Sequence, residues 1–73
     1  MNIEELQKEY EAWLANNLPS EMLKDKGEDL SAENLMASVG YDDDPNCKWS
    51  PNKAQYAWLA DFCERWTAIE KGD

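Results

Sequence analysis

The clearest pattern of apolar and polar positions lies in the last third of the chain. Ala54, Trp58, Leu59, Phe62, Trp66 and Ile69 recur at helical spacing, while Asp61, Glu64, Thr67 and Lys71 fall opposite or near the edge. At about 100° per residue the first set occupies one side of a helix, and Tyr56 and Cys63 widen its flank. Ser50 is placed to cap this helix and Pro51 to open it, because a proline there loses no needed amide donor and its fixed φ is already helical. Lys71-Gly72 marks the stop, so the predicted helix is Pro51 to Glu70. A first helix, Ile3 to Asn16, follows from Ile3, Leu6, Tyr10, Trp13 and Leu14 on a narrow arc. Asn2 caps it, and Glu4 and Glu5 sit where the helix dipole favours acids. Asn16-Asn17-Leu18-Pro19 ends it, since the residue before a proline leaves the α region and Asn tolerates a left-handed cap.

Two shorter helical segments are predicted between these. Ser20 caps Glu21 to Lys26, anchored by Met22 and Leu23 and ended by Gly27; Ser31 caps Ala32 to Ser38, with Leu35 and Met36 inward and Gly40 at the stop. No alternating β pattern and no internal repeat occurs. The expectation is an all-α protein, one helical domain over residues 1–73. Its two long helices form a small bundle through Leu6, Tyr10, Trp13, Trp58, Phe62, Trp66 and Ile69, with one or two short helices covering an end. At 73 residues burial barely offsets conformational entropy, so most of the aromatic stripe must serve as core.

Charge adds what periodicity does not. Sixteen Asp and Glu oppose seven Lys and Arg, a formal net charge of −9 with no His. A field of that sign repels nucleic acid and anionic membranes and draws the chain to basic protein surfaces, besides keeping an aromatic-rich domain in solution. Direct nucleic-acid binding and membrane binding are therefore not expected. Acidic Glu4 and Glu5 replace a basic leader region, and no apolar stretch has membrane length. Cys47 and Cys63 lack CxxC spacing and read as reduced thiols. A soluble, cytoplasmic protein is the expectation.

Catalysis is not expected either. Without His the chain lacks the commonest general base near neutral pH, the usual nucleophile triads and most zinc sites, and it has no Gly-rich phosphate loop. Asp42, Asp44 and Asn46 open with the alternate spacing of an EF-hand loop, but Cys47 stands where that loop turns on Gly and Lys53 where it needs a bidentate Glu. Neither a metal nor a cofactor is assigned. The loop from Tyr41 to Trp49 reads instead as a solvated acidic turn whose Tyr41 and Trp49 are either anchors of a protein-binding epitope or tethers to the core. Trp49 is also placed as a hydrophobic staple before the Ser50 cap.

The segments Tyr10-Glu11-Ala12-Trp13-Leu14, Leu18-Pro19-Ser20 and Trp58-Leu59-Ala60-Asp61-Phe62-Cys63-Glu64-Arg65-Trp66 resemble those of short acidic helical proteins encoded by bacteriophages and prophages, over most of the length. The resemblance assigns no residue a role. It implies a class of action, since small phage-type proteins often bind and disable host machinery such as CRISPR effectors, restriction enzymes and RNA polymerase. The leading expectation is a non-enzymatic inhibitor or modulator that docks on a basic, nucleic-acid-handling host protein, in its sharpest form as a nucleic-acid mimic. The contact set would be Glu28, Asp29, Glu33, Tyr41, Asp42, Asp43, Asp44 and Trp49. The alternative is a structural or accessory homodimer paired through Tyr56, Leu59, Cys63 and Trp66, its acidity serving only solubility.

Overall fold

A computed structural model describes residues 2–72. Its helices are α1 (Ile3–Asn17), α2 (Ser20–Lys24), α3 (Ala32–Ala37) and α4 (Lys53–Glu70), with no strand among the described residues. The all-α expectation holds. Asn2 caps α1 as its position demands, its side chain accepting from the Glu5 amide at 2.9 Å. α1 runs one residue past its predicted end because the Asn16 and Asn17 side-chain amides fold back onto the carbonyls of Ala12 and Trp13, at 2.9 and 2.8 Å. It stops at an extended Leu18 before Pro19. The predicted left-handed Asn cap does not form, since no described residue except Gly40 and Gly72 has a positive φ.

The short helices shift likewise. Ser20 is the first residue of α2 and not its cap: the Pro19 carbonyl accepts from the amides of Met22 and Leu23, at 3.1 and 3.3 Å. α2 ends at Lys24, two residues early, where Asp25 turns the chain by accepting from the Gly27 amide at 2.9 Å. Of its two apolar anchors Met22 is buried and Leu23 exposed. Ser31 caps α3 as predicted, accepting from the Asn34 amide at 3.3 Å. Gly40, at φ +85°, carries the chain out of the turn after α3.

At the start of α4 the cap is Asn52. Its side chain accepts from the Gln55 amide and the Gln55 side chain accepts from the Asn52 amide, both at 2.8 Å. Ser50 could not complete such a reciprocal box, because the residue three further on is Lys53, which has only donors to offer. Pro51 consequently lies outside the helix, where it is buried. Trp49 is set too far back to staple this cap.

α1 and α4 run antiparallel in a single register. Glu9 meets Arg65, Tyr10 meets Phe62, Trp13 meets Trp58 and Asn17 meets Gln55, so residue numbers climb on one helix as they fall on the other. Ala54 lies beyond the end of this pairing and is exposed, not inward. Aromatic rings fill the seam. Trp13 and Trp58 stack at 4.5 Å and 6°, Tyr10 and Phe62 at 4.5 Å and 24°, and Trp49 closes edge-on against Trp13 at 6.4 Å and 89°. Offset stacks and edge contacts are the geometries aromatic quadrupoles favour. Beneath the rings lies an aliphatic core of Leu6, Leu14, Leu18, Met22, Leu35 and Leu59, with Ala32 and Phe62. Leu6 and Leu59 retain no exposed surface. α3 packs on α4 and α2 on α1.

Candidate binding surface

The acids proposed from sequence divide among different tasks. Glu28, mostly covered, accepts from the Lys48 ammonium at 2.9 Å, and Asp25 meets the same nitrogen at 3.4 Å. This three-residue bridge ties the loop after α3 to the segment after α2. It raises the Lys48 pKa, through the Glu28 bond first. Asp25 is held below the ordinary carboxylate value chiefly by the Gly27 amide and then by Lys48. Asp29 is exposed and receives the Ser31 amide at 3.0 Å, which lowers its pKa. The Asp29 carbonyl accepts from the Asn34 side chain at 2.7 Å. Asp29 thus organises the approach to α3.

The loop is an acidic turn. Asp42 and Asp43 are exposed, and Asp44 accepts from the Asn46 amide at 2.8 Å. Among the described residues no three His, Cys, Asp or Glu side chains gather to hold a metal ion. Of the loop's two aromatics, Trp49 is a core tether on Trp13, whereas Tyr41 is 55% exposed. Cys47 and Cys63 are free thiols, and the Cys47 thiol donates to the Trp49 carbonyl.

The residues considered for self-association divide too. Leu59, expected at a self-association face, instead has no surface to present, because its side chain faces the aliphatic core. Tyr56 is exposed, while Cys63 and Trp66 are half-buried and line a groove.

That groove, of about 620 Å³, lies between α1, the start of α3 and α4. Tyr10, Phe62 and Trp66 supply its aromatic surface, and Glu11, Glu33 and Glu70 contribute one carboxylate from each helix. The Phe62 and Trp66 ring centres lie 5.8 Å apart, extending the Tyr10–Phe62 stack along the groove. The Tyr10 hydroxyl donates to the Leu30 carbonyl, and burial raises this phenol far above its ordinary pKa, with Cys63 and Asp29 adding smaller effects. Burial also raises the Cys63 thiol, followed by the nearby Glu33 charge. Of the lining acids only Glu33 stood out from the sequence. Glu11 and Glu70 flank the apolar stripes of their helices, a position shared by ordinary solvated residues, so only the α1/α4 register and the placement of α3 reveal them.

On the far side of the α1/α4 seam, the Arg65 guanidinium is engaged within the chain. Its Nη1 donates to Glu9 at 2.9 Å and its Nε lies 3.0 Å from Asp61, an ionic contact that is not aligned as a hydrogen bond. The guanidinium also sits 5.9 Å from the centre of the Trp58 ring. No helix among the described residues is long and apolar enough to cross a membrane. The chain matches no protein-family model, no curated protein and no solved structure.

Proposed function

We propose that the chain is a non-enzymatic binding protein that docks on a basic surface of a host protein and inhibits or modulates it, as small acidic phage-encoded anti-CRISPR and anti-restriction proteins do. The supporting observation is the state of its carboxylates. Among the described residues no charged side chain is buried, and only Glu9, Asp25, Glu28 and Asp61 meet a cation within 4 Å. The other described acids face solvent or the groove without an ion-pair partner, on a body 42 × 23 × 19 Å in extent. Uncompensated charge at a surface steers encounter with a basic partner and fixes its orientation. Carboxylates set against a Lys/Arg groove take the place of phosphates, which makes nucleic-acid mimicry the sharp form of this reading. The setting is the cytoplasm of a bacterial host.

The test is affinity capture from a bacterial lysate with salt-step elution and mass spectrometry, followed by adding the chain back to whatever elutes. The expected result is a basic nucleic-acid-handling protein that is released as the Debye length shrinks from about 10 Å at 0.1 M salt to about 3 Å at 1 M. Its activity on nucleic acid should fall when the chain is present. Recovery of the chain alone, or of a partner held unchanged through the high-salt wash, would contradict the proposal and favour the self-associating role.

A further inference from the structure

The groove between α1, α3 and α4 combines two features. Its aromatic lining comes from the half-buried Tyr10 and Trp66, with the buried Phe62 ring between them. Its lining includes Glu11, Glu33 and Glu70, one acid from each of three helices, all exposed and none with an ion-pair partner among the described residues. No Lys or Arg lines it; Lys71 borders a shallower adjoining depression. An apolar ligand alone would leave three carboxylates partly desolvated and unpaired, which is costly. An anion would be repelled. A second copy of the chain would bring another −9 of formal charge to the same place.

The complementary occupant is a cation carried on an apolar stem. An arginine fits best, because its planar guanidinium can lie over an aromatic face while its fork of N–H groups engages carboxylates. The volume, about 620 Å³, lies within the range of about 300–1,000 Å³ typical of ligand pockets and admits a large side chain with an apolar neighbour. We propose that this groove is the docking site for an arginine-bearing, partly apolar segment of the basic partner protein, with Tyr10 and Trp66 receiving the stem and guanidinium face and Glu11, Glu33 and Glu70 the charge. The inference rests on the reading of the chain as a ligand for a basic protein and locates its anchor away from the acidic loop.

The test uses a defined probe, the peptide acetyl-Ala-Leu-Arg-Ala-Leu-Arg-Ala-amide, and its counterpart with citrulline, the neutral isostere, at both arginine positions. Binding is followed by nitrogen-15 NMR of the whole chain, whose four Trp indoles are internal reporters. The expected result is that the Trp66 indole and the amides of Glu33, Cys63 and Glu70 shift, while the Trp49 indole and the amides of Asp42, Asp43 and Asp44 stay. Citrulline should abolish the shifts. Glu33→Gln/Glu70→Gln should weaken binding up to about tenfold, given modest energies for partly solvated pairs. Glu4→Gln/Glu21→Gln, which removes the same charge at exposed positions outside the groove, should leave affinity within about twofold. Equal losses in the two double variants, or shifts spread over the acidic loop, would overturn the groove while leaving a basic partner in place. Failure of the arginine peptide to bind in low salt, or binding indifferent to salt and to citrulline, would overturn both.

Discussion

Leu59 offers the sharpest test of how the chain is built, since its place in the aromatic stripe admits either a core role or a contact with a second copy. Its side chain is 0% exposed and shares one cluster with Leu6, Leu14, Leu35 and Phe62. Truncation to alanine removes three buried carbons and leaves a cavity that α1, α3 and α4 can only partly close, at a cost of about 3 kcal/mol within the usual span of about 2–5. The whole fold of 73 residues is worth only about 4–11 kcal/mol at typical stabilities per residue. In domains of this size each kcal/mol moves the melting temperature by about 4–8 °C, so Leu59→Ala should lower it by about 12–24 °C. Circular dichroism melts, with Trp fluorescence as a second probe, measure this directly. Tyr56→Ala, at a 40% exposed position, should cost under about 1 kcal/mol. Leu59→Asp should unfold the chain and not simply yield monomers. A shift below about 4 °C for Leu59→Ala, accompanied by a halved mass in light scattering, would refute the core assignment and put Leu59 at an interface.

Asn52→Ala should cost about 1 kcal/mol by removing the reciprocal cap of α4, whereas Ser50→Ala should be close to neutral in the same melts; the reverse order would return the cap to Ser50. Tyr10 should remain protonated where ordinary phenols ionise, so an ultraviolet titration should show one of the three tyrosines ionising only as the chain unfolds. The sign follows from linkage. A folded-state pKa raised above the ordinary 10.0 gives stability that is fully present below pH 10 and lost as pH rises beyond it. Tyr10→Phe should remove the late phase and, by leaving the Leu30 carbonyl without its donor, cost about 1 kcal/mol at neutral pH. Ionisation of Tyr10 in the folded chain where ordinary phenols ionise would contradict this placement.

Much of the architecture could be read from periodicity, because α1 and α4 each present one apolar arc that must face the core. What periodicity cannot supply is register. Trp13 on Trp58 and Tyr10 on Phe62 become pairs only when the helices are set antiparallel, and Glu11, Glu33 and Glu70 share a groove only as a consequence. Helix ends shift from their expected places where two polar residues compete for one duty. Ser50 and Asn52 both make good caps, and the choice falls to Gln55, whose carbonyl can answer Asn52 while Lys53 cannot answer Ser50. The acids of the middle segment look alike in sequence, yet Glu28 is committed to Lys48, Asp29 to the Ser31 amide and Glu33 to the groove. Leu59 lies in an aromatic stripe that periodicity alone leaves open between core and self-association; burial among Leu6, Leu35 and Phe62 places it in the core.

Whether carboxylates on this chain bind a basic partner is tested most directly by titrating the chain into the salt-released host protein at ionic strengths from about 50 to about 200 mM. An affinity that falls at least about tenfold over that range is the expected result, since solvent-exposed charge pairs are screened in step with the Debye length. An affinity unchanged by salt would contradict it, leaving apolar contacts as the source of binding and the acidity as a matter of solubility.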